Sequence, residues 1–177
     1  MGSSGSKGSS VREPIELNPE LPPLLVPGRV LNELCQHALE TRPEECCGLV
    51  AGNGAERFLS VYRCRNEMTM RHRSDPHSHP RDGRAAYFMN LADLLQARED
   101  AESQGQQVTA VYHSHVAAGA YFSEMDQEYA EHPLFPFPEA AHIVVAVGDE
   151  KVSRVGIFQR NLEIGSFSGC AVKAAVQ

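Results

Sequence analysis

The chain is 177 residues long and acidic, with 16 Lys and Arg against 23 Asp and Glu and a formal net charge of −7. That balance, without any Lys/Arg block, argues against a nucleic-acid binder or a protein drawn to anionic membranes, and no apolar run approaches the roughly 18 residues of a membrane span. The length suits one domain with a single core and leaves no room for a second.

In chain order, "MGSSGSKGSS" at 1–10 reads as an expression scar and is set aside. Residues 11–27 form a Pro-rich arm expected to lie extended on the surface or against a partner, and 28–177 form the folded domain. Val30, Leu31, Leu34, Cys35, Ala38 and Leu39 recur at three and four, which predicts a helix from 28 that stops at Arg42, before Pro43. "ECCGLVAG" and "RFLSVYRC" read as an antiparallel hairpin turned at "GNGA". Residues 65–84 carry no period and read as a long loop. A short strand "AAYFM" follows, then a helix over 91–104 with Asn90 as N-cap and Gly105 as its stop. "QVTAVYHSH" predicts a buried strand, "SEMDQEYAEH" a short helix, and "AHIVVAVG", "VSRVGIFQ" and "LEIGSF" the last strands. The fold class is therefore α/β: a mixed, mostly antiparallel sheet flanked by helices.

The cysteines (Cys35, Cys46, Cys47, Cys64, Cys170) are odd in number and form no C-x-x-C. They fit small apolar side chains in a reducing compartment, which points to the cytoplasm.

The chemistry concentrates at "VYHSHVAAGAYFSEMD", 111–126. Side chains two apart on a strand share a face, so His113 and His115 converge at the end of theirs. Ser123 and Asp126 share a face at the start of the next helix. Two imidazoles and one carboxylate leave a fourth position open, as in a catalytic zinc site. "SEMD" is also a helix-capping sequence, a role that Ser123 can combine with facing a site. The similar "PHSHP" at 76–80 has Tyr87 and Asn90 where a serine and an acid would be needed, and prolines on both sides. With His72 it reads as a solvated loop.

H-x-H-x7-S-x2-D preceded by a glutamate in an E-x-C-G strand resembles the JAMM (MPN+, JAB1/MPN/Mov34) zinc metalloproteases, over about residues 28–165. The matching glutamate is Glu45 in "EECCGLVAG". The resemblance implies a single MPN-like domain with a curved sheet and cytidine-deaminase-like layering. It also implies one Zn2+ per chain on His113, His115 and Asp126, Glu45 as general base, and a transition-state hydrogen bond from Ser123. Strand alternation sends Glu44 and Glu45 to opposite faces, so only one can serve, and the E-x-C-G register selects Glu45. Val116 and Phe122 stand where the family commonly has prolines, which bears on loop shape rather than on ligands.

Small, free-standing relatives of this kind act at the C-terminal Gly-Gly of ubiquitin-like or sulfur-carrier proteins. The resemblance thus implies a peptidase or isopeptidase with such a protein as substrate and partner. A side-chain-free tail suits a narrow groove beside a metal. A non-catalytic MPN scaffold is the rival reading, and the intact five-residue set argues against it. A cupin wants its glutamate a few residues after the second histidine, an amidohydrolase barrel needs far more chain, and a zinc deaminase needs P-C-x-x-C.

Overall fold

The computed structural model describes residues 12–161, 163 and 165–176; the scar at 1–10 lies outside them. Among the described residues the order is β1 (Leu24–Val26), α1 (Gly28–Thr41), β2 (Cys47–Gly52), β3 (Ser60–Cys64), α2 (Met68–Ser74) and α3 (Leu91–Ser103), then β4 (Gln107–Val116), α4 (Glu124–Glu131), β5 (Ala141–Val147), β6 (Val152–Asn161) and β7 (Ser166–Ala174). The strands form one sheet in the order β1-β7-β6-β5-β4-β2-β3. The β4–β5 and β1–β7 pairings are parallel and the other four antiparallel, so the sheet is mixed and mostly antiparallel, as expected. Bulges at Val50/Ala51 and Ala146/Val147 interrupt two ladders and add local twist.

The central strands are apolar on both faces because both are covered. Ala110, Tyr112, Ile143 and Val145 pack with Val30, Leu34 and Ala38 of α1. Leu49 and Val111 pack on the opposite face with Leu94 and Ala97 of α3. Further along that sheet, Val144 meets Ala130 of α4, Phe122 and Phe158. Helix α1 begins directly after Pro27. The side chain of Asn90 caps α3 by accepting from Asp93 N, and Gly105 behind it takes φ +69°.

Four local expectations change. Asn53 does not make a two-residue turn: its side chain accepts from Ala55 N and Glu56 N, so the connection is longer and β3 starts at Ser60 rather than near Arg57. The stretch 65–84 contains helix α2. "AAYFM" is not a strand; only Met89 bridges, to Asn66, because the Asn66 side chain takes the place of a neighbouring strand, donating to Ala86 O and accepting from Phe88 N. Of "LEIGSF", Leu162 and Ile164 lie outside the described residues, and β7 starts at Ser166.

The Pro-rich arm folds against its own domain. Leu24–Val26 adds an edge strand to β7, Leu17 bridges Gly169, and Ile15 pairs with Phe122.

Candidate metal centre

His113 and His115 lie near the C-terminal end of β4, where His113 pairs with Cys47 on one side and Val144 on the other. Both side chains leave the face that carries α3 and α4, and both are buried, as is Asp126 in the first turn of α4. Ligand atoms of these three residues lie within 4.8 Å of one another. His113 Nε2 sits 3.1 Å from His115 Nε2 and 3.2 Å from Asp126 Oδ1, and His115 Nε2 sits 3.7 Å from Asp126 Oδ2.

Those separations bear on whether zinc fits. Tetrahedral ligands about 2.0–2.1 Å from zinc stand about 3.3 Å apart, close to the separation of the two Nε2 atoms and to that of His113 Nε2 from Asp126 Oδ1. His115 Nδ1 faces Gly119 O at 2.9 Å. The carbonyl can only accept, so the ring proton sits on Nδ1 and the Nε2 lone pair faces the centre. Lone pairs and a carboxylate converging in a dry site repel one another unless a cation or a proton lies between them. The donor set therefore fits zinc. His113 differs in its support: its Nδ1 is buried with no hydrogen-bond partner, and the ring is held by stacking on Tyr87, with centroids 4.6 Å apart.

Electrostatics follow the same geometry. Burial works against the Asp126 carboxylate, yet the His113 charge and hydrogen bond hold its pKa well below the usual range. Burial also works against the His115 imidazolium, yet Asp126 carries its pKa above the ordinary value; at 3.7 Å that contact is charge attraction rather than a hydrogen bond.

Ser123 is the N-cap of α4 in a complete capping box. Its hydroxyl donates to Asp126 Oδ2 at 2.6 Å, and its backbone N donates to the same oxygen at 2.9 Å. Oδ1 is thus the oxygen turned toward His113, and the cap fixes the carboxylate's orientation. Capping and facing the site coincide, since Ser123, Asp126, His115 and Glu45 line one cavity of about 310 Å³.

Glu45 precedes β2 rather than lying within it. It is buried, and burial pushes its pKa up to about 7, with His113, His115 and Arg81 opposing the rise and Asp126 adding to it. Its backbone is held from two sides, Glu45 N donating to Gly83 O at 2.7 Å and Asn66 Nδ2 donating to Glu45 O at 3.0 Å. Glu44 turns away and accepts from Thr69 Oγ1, so the two glutamates do separate, though through this hydrogen bond and not through strand alternation, since both precede β2. The glycine of E-x-C-G has a steric reason: a Cβ on Gly48 would lie 2.2 Å from Tyr62 O and 2.6 Å from the Tyr112 ring.

Residues outside the motif matter as much. Ser114, between the histidines, points to the other face and accepts from Cys46 N at 2.8 Å, tying the backbone beside Glu45 to the histidine-bearing strand β4. Gly119, Tyr87 and Gly83 act on His115, His113 and Glu45 as described, and none carries a sequence signal, since each works through a backbone atom or a ring face. Phe122 is fully buried and stacks on Phe158, with centroids 5.2 Å apart. Val116 lines the cavity, and the next residue, Ala117, takes φ 56°. The second H-S-H is not drawn into the cluster: His77 is exposed, and His72 Nδ1 faces His79 O at 2.6 Å. All five cysteines are free; burial pushes the Cys46 and Cys64 thiols up to about 12. No helix among the described residues is long and apolar enough to cross a membrane.

Two solved structures of bacterial proteins share the fold. One is from Desulfitobacterium hafniense, 18% identical with a TM-score of 0.61, and covers 86% of this chain and 93% of its own. The other is from Salinibacter ruber, 22% identical with a TM-score of 0.57, and covers 86% and 92%. No curated protein matches. The family model for prokaryotic homologs of the JAB domain matches residues 27–160, a span that contains the histidine pair, Glu45, Ser123 and Asp126, and the chain belongs to that family.

Proposed function

We propose that the chain is a zinc peptidase or isopeptidase that hydrolyses the bond after the C-terminal Gly-Gly of a ubiquitin-like or sulfur-carrier protein. One observation carries the reading: buried His113, His115 and Asp126 bring ligand atoms within 4.8 Å of one another beside a cavity that is also lined by the buried Glu45, whose pKa burial raises to about 7. Zinc bound at His113, His115 and Asp126 would bring the pKa of a water toward neutrality and polarise the scissile carbonyl. Glu45, whose pKa burial raises to about 7, accepts that water's proton and delivers it to the leaving amine. Ser123 holds Asp126 in orientation and keeps its hydroxyl at the cavity wall, where it can turn to the carbonyl oxygen as charge develops there. Tyr121, Val116 and Ala118 line the same cavity, and a tail without side chains is the one whose backbone can come closest to such a wall.

Metal analysis of the purified chain with single substitutions tests this. The expected result is one zinc per chain, lost in Asp126→Ala and kept in Glu45→Ala, with cleavage of a Gly-Gly-extended ubiquitin-like protein abolished in both. A zinc-free wild type that cleaves nothing would leave a partner-binding scaffold as the reading, and cleavage confined to unrelated peptides would refute the Gly-Gly specificity.

A further inference from the structure

We infer that Arg81 and Arg84 form a receptor for a free α-carboxylate on the leaving residue, so that this enzyme removes a terminal amino acid from behind Gly-Gly in preference to releasing a conjugated lysine. The inference rests on the peptidase reading above and specifies its leaving group.

Both arginines are exposed, and both line the cavity that holds Glu45. Arg12, Arg29, Arg63, Arg65, Arg71 and Arg98 each pair with a carboxylate. Arg81 and Arg84 make no side-chain hydrogen bond or ion pair with the described residues. The intervening Asp82 forms an ion pair with neither guanidinium; its Oδ1 accepts from the backbone N of Arg84 at 3.0 Å. In a chain of net charge −7, two uncommitted guanidiniums at this cavity select for an anion.

Their position relative to Glu45 is fixed through Gly83. Its carbonyl accepts from Glu45 N at 2.7 Å, its N donates to Thr69 Oγ1 at 2.9 Å, and Thr69 in turn donates to Glu44. A Cβ on Gly83 would lie 2.8 Å from both Thr69 Oγ1 and Glu44 Oε2, so the loop seats closely there, with one arginine on either side.

The chemistry says which end of the substrate this is. Glu45 must reach the leaving nitrogen to protonate it. In a terminal amino acid the carboxyl carbon is two bonds from that nitrogen, about 2.5 Å away. In a conjugated lysine the nitrogen ends a four-methylene chain, and the backbone carboxyl is an amide. Cations beside Glu45 therefore meet a carboxylate only when the leaving group is a C-terminal residue. In the reaction the Gly–Xaa C–N bond breaks, and the oxygen of water stays on glycine as its new carboxylate. Both protons of that water leave its oxygen: the first passes through Glu45 to the departing nitrogen, and the second ends on the same nitrogen, so that the amino acid departs as an ammonium.

The test uses zinc-loaded full chain and a ubiquitin-like protein extended by one alanine after Gly-Gly, as the free acid, as the C-terminal amide, and as an isopeptide to a lysine side chain. Wild type should cleave the acid on the order of 10- to 100-fold faster in kcat/KM than the amide or the isopeptide. In R81A/R84A the acid-to-amide ratio should fall toward one with zinc content unchanged, and R81K/R84K should keep part of the preference. A second readout does not need turnover. Calorimetric titration of a Gly-Gly-Ala tail peptide into Glu45→Gln should favour the acid over the amide, and the arginine substitutions should erase that difference. Equal acid and amide rates in wild type, or a preference that survives in R81A/R84A, would overturn the inference while leaving the peptidase reading intact. No cleavage of any substrate by the zinc-loaded wild type would overturn that reading and this inference with it.

Discussion

Ser114→Ala removes one oxygen from the strand that carries both histidines, on the face away from their side chains. That oxygen accepts from Cys46 N at 2.8 Å, and both residues are buried, at 0% and 1% exposure. The second link between them, Ser114 N to Cys46 O at 3.1 Å, survives the change. The loss is thus one buried N–H without a partner, about 1–3 kcal/mol. In a domain of this size 1 kcal/mol moves Tm by about 2–4 °C, so a central value near 2 kcal/mol lowers Tm by about 4–8 °C. Urea titration of the metal-free chain should show a lower midpoint at unchanged m, because no extra surface is exposed. Glu45 is the next residue along, so kcat should also fall while zinc stoichiometry holds. A Tm within 1 °C of wild type together with unchanged kcat would refute the claim that Ser114 anchors the Glu45 backbone.

Phe122→Ala should cost about 3–5 kcal/mol in chemical denaturation, since the ring is fully buried between Phe158, Phe167 and His142. A loss below 1 kcal/mol would mean the site collapses to fill the hole. Glu45 contributes stability to the metal-free chain that is fully present below pH 4.5 and lost as pH rises through about 7, because burial raises its folded pKa from 4.5 to about 7 and the folded carboxyl binds more protons across that window. His37 and His142 act in the opposite sense, burial lowering them to about 4 and about 3, so their part of the stability grows as pH rises toward 6.5. The Glu45 part is therefore a difference: on going from pH 5 to pH 8 in denaturation experiments, wild type should lose up to roughly 3 kcal/mol relative to Glu45→Gln; an identical pH dependence in the two chains would show that Glu45 is not desolvated. A thiol reagent at pH 8 should leave Cys46, Cys47 and Cys64 unmodified until the chain is denatured, because burial raises all three thiols far above that pH. Fast labelling of the native chain would contradict their burial.

What the sequence discloses divides along contact range. Helices α1 and α3 and strand β4 announce themselves because each buries a periodic or continuous apolar face, and Asn90 sits where a cap must. The candidate site is legible because its spacing satisfies two constraints at once, a strand period at His113 and His115 and a helix period at Ser123 and Asp126. Helix α2 escapes because "MTMRHRS" has only Met68 buried and holds position through polar and cation–π contacts, with Arg71 over Phe88 at 3.5 Å. "AAYFM" misleads because a side-chain amide, not a strand, satisfies its backbone. Strand β1 is unreadable from local pattern, since a three-residue stretch becomes a strand only by meeting Val172–Ala174 from the far end of the chain.

The family match runs from 27 to 160, and β1 and β7 fall outside it on opposite sides. They pair with each other, and the arm continues past them to the helix that carries Asp126: Glu13 O accepts from Gln127 Nε2 at 3.0 Å, and Arg12 N donates to Glu124 Oε1 at 3.0 Å. The two ends of the chain therefore act as one strap, fastened to the sheet edge and to the first turns of α4. Trimming the chain to its family boundaries removes both halves of the strap together. Trimming only one half strands the other as an open edge inviting association between copies, so fusions and truncations of this protein have to treat its termini as a pair.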